Sequence, residues 1–293
     1  MKRTHLIFLL LSVLNLGCFG RFTMTEREIR EHYAGRPLKP TFYTIDTDTS
    51  RLFVAATGAD TLPPLLLIHG APGAWYGYIR MLDDTLLSKQ YHVISVDRPG
   101  YHKSRISGPW RKRRKQYTLG WQANTIAQAL RLNHSGKPAT VLGRSYGAPV
   151  AARLAADYPA QISQLFLVSP AIDPDAEKFY WFSTWGKFPL IQAFLPKFLN
   201  IATHEKFTHA DELRKLLPSW SQIQAPVTVM QGGRDWIINA CNFDFAKCVL
   251  DGKPANFIFL PEAGHLITNS HAELVRSLLL TPSAGTAAPT SAN

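Results

Sequence analysis

The stretch Ala139-Thr140-Val141-Leu142-Gly143-Arg144-Ser145-Tyr146-Gly147, continued by the alanine-rich segment Ala148 to Ala156, decides how the rest of the chain is read. An apolar run of strand length enters Gly-x-Ser-x-Gly and leaves as a helical pattern. That order is the signature of a nucleophile elbow, in which small residues two before and two after a serine let the chain turn sharply. The turn lifts the Ser145 hydroxyl above the end of a sheet, where a substrate can meet it. Five residues alone can match by chance, so their surroundings carry the decision.

Outward from the elbow, short apolar runs recur at Leu65 to Ile68, His92 to Val96, Gln164 to Val168, Val227 to Gln231 and Phe257 to Leu260. Such runs fit strands buried on both faces of a parallel sheet. Helical spacing separates them at Tyr78 to Lys89, Leu119 to Leu132, Ala148 to Tyr158 and between the last two strands, and returns at Ala272 to Leu280. Thr41 to Gly58 alternates, with Asp46 to Ser50 as its turn, and predicts a hairpin at a sheet edge. The alternation of strands and helices predicts an α/β fold, a mostly parallel sheet with right-handed crossovers and helices on both faces. One interruption, Asp173 to about Trp220, lacks a buried-strand pattern and carries Phe179, Tyr180, Trp181, Phe182, Trp185, Phe188, Phe194 and Phe198. It predicts a helical cap, about 173–220, inserted in a domain of residues 41–280 after the strand ending near Val168. Residues 21–40 read as a tether or a helix leading into that domain. The Ala, Ser, Thr and Pro of 281–293 read as a disordered tail.

The 293 residues are 46% hydrophobic, ample for one large core with a small cap. Lys and Arg total 32 against 21 Asp and Glu, a net charge of +11. That balance favours anionic surfaces, and with no nucleic-acid motif beside it the reading is a soluble basic protein drawn to anionic membrane. At the start, Lys2 and Arg3 precede the apolar run Leu6 to Leu16, which ends in Gly17-Cys18. The run is short for a membrane-spanning helix and reads as an export signal over residues 1–18. Leu-Gly-Cys resembles a bacterial lipoprotein box, with Asn15 where an aliphatic residue is usual. Cys18 is then the candidate lipidation site of a membrane-anchored protein facing the periplasm or cell exterior, with plain cleavage or an uncleaved anchor as alternatives. Arg111 to Lys115 is a dense basic run, read as a solvated loop or a contact for lipid head groups. Cys241 and Cys248 remain as a bonded pair or two free thiols; on one continuous helix seven residues separate Cα atoms by about 10 Å, beyond disulfide reach.

From about Phe42 to Leu280 the chain resembles an α/β-hydrolase, through four landmarks in that family's order: His69-Gly70-Ala71-Pro72-Gly73, the Ser145 elbow, Asp235 in Gly232-Gly233-Arg234-Asp235, and His265 in Ala263-Gly264-His265. The resemblance implies a serine hydrolase in which Ser145 attacks, His265 is the general base and Asp235 holds the imidazole in one tautomer. Asp173 is the rival acid, from a position some relatives use, and otherwise caps the start of the lid. By the family's geometry the oxyanion donors are the amides of Ala71 and Tyr146; Pro72 has no amide. His69 is then a support of its loop. Asp97 and Arg98 are structural, with Arg98 a minor candidate for lining the site entrance.

A hydroxyl at position 145 sets the chain apart from dehalogenases and epoxide hydrolases of similar outline, which attack with a carboxylate. No metal is implied, since no His or acidic cluster has ligand spacing, and no cofactor, since the elbow glycines form no dinucleotide fingerprint. His-Gly-Ala-Pro-Gly is close to the His-Gly-Gly-Pro-Gly loop of proline iminopeptidases, which use cap carboxylates to hold a free amine. Glu177, Glu205 and Glu212 are present but have no assigned place. The sequence therefore predicts an esterase acting on a small-molecule ester or lipid-like substrate with an apolar group. An aminopeptidase of the proline iminopeptidase type and a non-catalytic binding relative stay open. The cap aromatics either take the apolar group or pack on their own core. The sequence names no oligomeric state.

Overall fold

The computed structural model describes residues 23–179, 184 and 186–281. The export signal with Cys18, the cap residues Tyr180, Trp181, Phe182 and Trp185, and the tail after Thr281 lie outside the described residues.

Among the described residues nine strands form one sheet: β1 (Thr41–Asp46), β2 (Ser50–Thr57), β3 (Pro64–Ile68), β4 (His92–Val96), β5 (Arg105–Ile106), β6 (Ala139–Arg144), β7 (Ile162–Val168), β8 (Val227–Gly232) and β9 (Ala255–Leu260). Their order is β1-β2-β4-β3-β6-β7-β8-β9, with the short β5 paired to β2. The hairpin partners β1 and β2 are antiparallel and β2 runs antiparallel to β4, whereas every pair from β4 to β9 is parallel. Among the described residues, the six helices of eight residues or more are α1 (Glu26–Tyr33), α2 (Leu119–Ala127), α3 (Gly147–Asp157), α4 (Lys197–Leu216), α5 (Cys241–Val249) and α6 (Ala272–Leu280).

Strand periodicity divides the core. In β3, Leu66 and Ile68 join the apolar cluster that contains Ala123 of α2 and Val150 of α3. Leu65 and Leu67 point the other way, to Ile29 of α1 and Val275 of α6. Successive side chains leave a strand on opposite faces, so a wholly apolar run is what a sheet covered on both sides requires. Residues 21–40 contribute α1, begun by a capping box in which Thr25 and Glu28 satisfy each other's backbone amides.

Two expectations change, and of the two readings left open for the cysteine pair one holds. Tyr78 to Lys89 is two short helices, Ile79–Leu82 and Thr85–Gln90, because the Asp84 carboxylate accepts from the Leu86 and Leu87 amides and starts a new helix. The basic run is a helical turn, Trp110–Arg113, extended by a 3₁₀ turn to Gln116, and no open loop. Cys241 and Cys248 both lie on α5 and are free thiols. Among the described residues of 173–220 a short helix, Pro189–Phe194, precedes α4, the longest element of the segment. No helix among the described residues is long and apolar enough to cross a membrane.

Candidate active site

Parallel register brings the carboxyl ends of β3, β6, β7, β8 and β9 side by side, and each candidate residue follows one of them. Ile68 is level with Gly143, Arg144 with Val168, and Gly232 with Leu260. Ser145 leaves β6 with φ 55°, in the left-handed region. A non-glycine residue holds that conformation at a cost of about 1–2 kcal/mol and only where its surroundings enforce it. The enforcement is visible: the Ser145 amide donates to Val168 O at 3.0 Å, and its carbonyl accepts from Ala148 at 3.0 Å. A Cβ on Gly147 would lie 2.3 Å from Ile68 O and 2.7 Å from His69 O, and one on Gly143 would lie 2.4 Å from Gly147 O. Both glycines are required because backbone occupies the space. Gly147→Ala is expected to lower unfolding free energy by about 3 kcal/mol, since backbone must shift to admit the methyl group. Urea denaturation measures it, and a loss below about 1 kcal/mol would contradict this packing.

His265, on the loop after β9, meets Asp235, on the turn after β8, through Nδ1 and Oδ2 at 2.8 Å. The Asp235 carboxylate is itself held. Oδ1 accepts from the amides of Ile237 and Ile238 at 2.9 Å each, and Gln231 reaches Oδ2 from β8. Ser169, directly after β7, donates its hydroxyl to His265 O at 2.9 Å and so ties the histidine loop to the sheet. Arg144 Nη1 donates to Thr268 and Asn269 just beyond it. A carboxylate can only accept, so Nδ1 carries a proton and Nε2 is left for a substrate-side role in the neutral ring. Among the described residues, neither Ser145 Oγ nor His265 Nε2 has a hydrogen-bond partner, and neither do the amides of Ala71 and Tyr146. The rival acid Asp173 is spent elsewhere, its Oδ1 accepting from the Asp175 amide in a turn at the start of the cap.

Arg98 is fully buried, not at the entrance. Its amide donates to His69 Nε2 at 2.9 Å, which leaves the imidazole proton on Nδ1, donating to Gly70 O at 2.7 Å. Burial, and then the Arg98 charge, hold His69 well below the usual histidine range, so it stays neutral as a strut of the loop. Asp97, equally buried, accepts from the Trp75 and Lys103 amides and from His102, joining the turns after β3 and β4.

The cap turns an unexpected face to this site. Ile201, Glu205, His209, Glu212, Leu213 and Leu216 form the buried stripe of α4. Phe179, Phe188 and Phe194, read either as taking an apolar group or as packing on the cap's own core, are exposed. Phe198, partly buried, lines with Met24, Pro72, Gly73 and Tyr76 a cleft of about 150 Å³ beside the oxyanion loop. Glu205 pairs with Arg98, and Glu212 accepts from the Leu119 amide at the start of α2 and pairs with Lys215. Glu177 pairs with Lys206 and lies 3.4 Å from His209. Charged members make this stripe inconspicuous in the sequence, although its spacing of three and four residues between Ile201 and Leu216 is that of one helix face. Among the described residues no three His, Cys, Asp or Glu side chains converge as metal ligands.

His209 is held below the usual histidine range by burial, its Nε2 donating to Ala171 O. His69 and His209 therefore refuse protons that the unfolded chain accepts near pH 6.5. Their contribution is complete above that pH and is lost as pH falls below it, by up to about 1.4 kcal/mol per unit for each ring. The melting temperature is expected to fall between pH 7.5 and 5, and His209→Phe should show a shallower fall in scanning fluorimetry.

The sequence model of the alpha/beta hydrolase fold matches residues 63–196. The chain is 27% identical over 128 residues to the AB hydrolase superfamily protein YfhM of Bacillus subtilis, covering 43% of this chain and 42% of that one. It is 32% identical over 115 residues to the human monoacylglycerol lipase ABHD6, covering 37% and 31%. The chain thus spans well under half the length of these curated relatives. A solved membrane phospholipase A, described as a bacterial virulence factor, superposes with a TM-score of 0.64 at 23% identity, over 95% of this chain and 98% of that one. The chain has the alpha/beta hydrolase fold.

Proposed function

We propose that the chain is a serine hydrolase of carboxylic esters that works through an acyl-enzyme on Ser145. The observation carrying this reading is the left-handed backbone of Ser145 on a strand-to-helix elbow, with the His265–Asp235 pair on neighbouring strand ends. His265 Nε2 takes the hydroxyl proton as Oγ attacks the ester carbonyl carbon. The oxyanion that forms is met by the Ala71 and Tyr146 amides, which have no described partner to give up. As the tetrahedral centre collapses, the protonated Nε2 returns its proton to the departing alkoxide. Water then repeats the sequence on the acyl-enzyme.

Ester in preference to N-terminal amide is supported by the cap. Glu177, Glu205 and Glu212 are each matched to a cation of this chain, so none of the three is available to hold a substrate amine. The apolar cleft beside Pro72 and Gly73 suits an acyl chain or an apolar alcohol. The names of the human relative and the solved phospholipase point the same way, to lipid-like esters. Membrane-surface association, export and acylation of Cys18 are part of this proposal, resting on residues 1–18 and the +11 charge. Retained fatty-acid probe labelling in Cys18→Ser would exclude that cysteine.

A fluorophosphonate probe should label the wild type at Ser145, and a panel of acyl nitrophenyl esters should be hydrolysed where proline aryl amides are not. Cleavage of the amides alone would replace this reading with the aminopeptidase. Absence of both labelling and turnover would leave a binding protein.

A further inference from the structure

Ala71 can serve as an oxyanion donor only if its N–H is aimed at the Ser145 side, and aim is a property of the Gly70–Ala71 peptide plane. In a trans peptide the carbonyl oxygen and the next N–H point in opposite directions. Gly70 O is gripped from one side by two donors, Arg98 Nη2 at 3.1 Å and His69 Nδ1 at 2.7 Å. The carbonyl before it, His69 O, accepts from Arg98 Nε at 2.9 Å. Holding both carbonyls turns the Ala71 N–H the other way. A Cβ on Gly70 would lie 2.9 Å from Ser145 Cβ, so this peptide runs directly against the elbow.

The same guanidinium is completed from the cap. Arg98 Nη1 donates to Glu205 Oε1 at 2.5 Å and to Gln122 Oε1 at 2.7 Å, and Nη2 reaches Glu205 Oε2 at 3.1 Å. All five guanidinium N–H groups are thereby used, two on the oxyanion loop and three on Glu205 and Gln122. Glu205 is the one carboxylate in ion-pair reach of Arg98 among the described residues, and both side chains are buried to 1% exposure or less. Tyr101 donates to Glu205 Oε2 at 2.5 Å, and the Tyr117 hydroxyl lies 3.1 Å from Oε1, so the carboxylate is locked as well. A buried guanidinium stripped of its counter-charge does not keep its place; it moves toward water or recruits a new partner. Either motion removes the Arg98 bonds to the His69 and Gly70 carbonyls and leaves Gly70 O on His69 Nδ1 alone, so the peptide plane loses two of its three holds.

We infer that Glu205 is a positioning residue for the reaction: through Arg98 it fixes the Gly70–Ala71 peptide, so the Ala71 amide faces the oxyanion only when α4 of the cap is seated on the core. The inference rests on the reading of Ser145 as nucleophile and Ala71 as donor. It makes the cap part of the catalytic apparatus in addition to a wall of the substrate cleft.

The test uses the full chain and a short acyl nitrophenyl ester, with kcat normalised to serine titrated at the end point by a fluorophosphonate. Glu205→Gln keeps the shape and removes the charge. It is expected to lower kcat by 10- to 100-fold, approaching the loss of one oxyanion donor, with KM changed by less than about threefold. Affinity for a trifluoromethyl ketone, which forms the tetrahedral adduct, should fall in parallel with kcat/KM, whereas affinity for the product carboxylate should not. Arg98→Lys, with a compact three-donor head that cannot bridge both sides, should show the same pattern, and Glu205→Asp should recover part of the rate. If Glu205→Gln does not fold, Tyr101→Phe, which loosens the carboxylate without removing it, is read by the same criterion with an expected fall of about three- to tenfold. Normalised kcat/KM within threefold of wild type, or a loss confined to KM, overturns the inference while leaving the serine hydrolase reading intact. A wild type that neither labels nor turns over removes that reading, and this inference with it.

Discussion

Ser145→Ala is expected to lower kcat on a short acyl ester by about 10⁶-fold, the loss seen when the nucleophile of a preorganised serine site is removed. Fluorophosphonate labelling should vanish with it. The expectation is sharp because the substitution touches little else. The Ser145 hydroxyl has no described hydrogen-bond partner, and the bonds that hold the elbow, to Val168 O and from Ala148, are backbone bonds that alanine keeps. Alanine bears the same left-handed strain as serine within about 1 kcal/mol, so the melting temperature should move by no more than a few degrees. Stopped assays on protein purified from a strain lacking other esterases would measure the residual rate. A residual rate within tenfold of wild type would mean that another group attacks. Ser169 would be the first to examine, but its hydroxyl is already committed to His265 O.

Much of this site could be read from the chain, and the reason is local. The elbow, the His-Gly-Ala-Pro-Gly loop, Asp235 and His265 each sit where an apolar strand stops, and strands such as β3 and β6 announce themselves by short uninterrupted apolar runs. The rest depends on pairings that no window spans. Arg98 and Glu205 are 107 positions apart. Taken singly, an arginine after a strand and a glutamate in a helix are surface residues by ordinary expectation, and only mutual neutralisation lets both be buried. The inward stripe of α4 was hidden for the same reason, because three of its six members are Glu205, His209 and Glu212. Aromatic content does not tell which face of a cap turns inward: Phe188 and Phe194 are outside, while a glutamate and a histidine face the core. At Tyr78 to Lys89 helical spacing was right in kind but blind to Asp84, whose carboxylate competes for the amides of the next turn.

Asp235→Asn should cost about 10⁴-fold in kcat, with KM little changed, through the tautomer of His265 and not through geometry. The two oxygens of Asp235 have different duties. Oδ1 accepts from the Ile237 and Ile238 amides, and Oδ2 accepts from His265 Nδ1. In asparagine one position becomes an NH₂ group. Placing that NH₂ at Oδ1 would set it against two N–H donors at 2.9 Å, whereas at Oδ2 it opposes only the longer 3.5 Å approach of Gln231, so the carbonyl stays at Oδ1 and the NH₂ takes the place of Oδ2. It then donates to Nδ1, which forces the imidazole proton onto Nε2. A ring with Nε2 protonated cannot accept the Ser145 proton, and the acylation step fails although every heavy atom is in place. The control is Asp173→Asn. Its carboxylate serves the Asp175 amide in a turn at the start of the cap, so kcat should stay within about threefold of wild type. Steady-state kinetics on both variants, with structure checked by circular dichroism, separates the two acids. Retention of more than a tenth of the activity in Asp235→Asn, with collapse in Asp173→Asn, would transfer the role to the residue after β7. The geometry opposes that outcome, since Asp235 holds the histidine at 2.8 Å with its other oxygen anchored by two backbone amides.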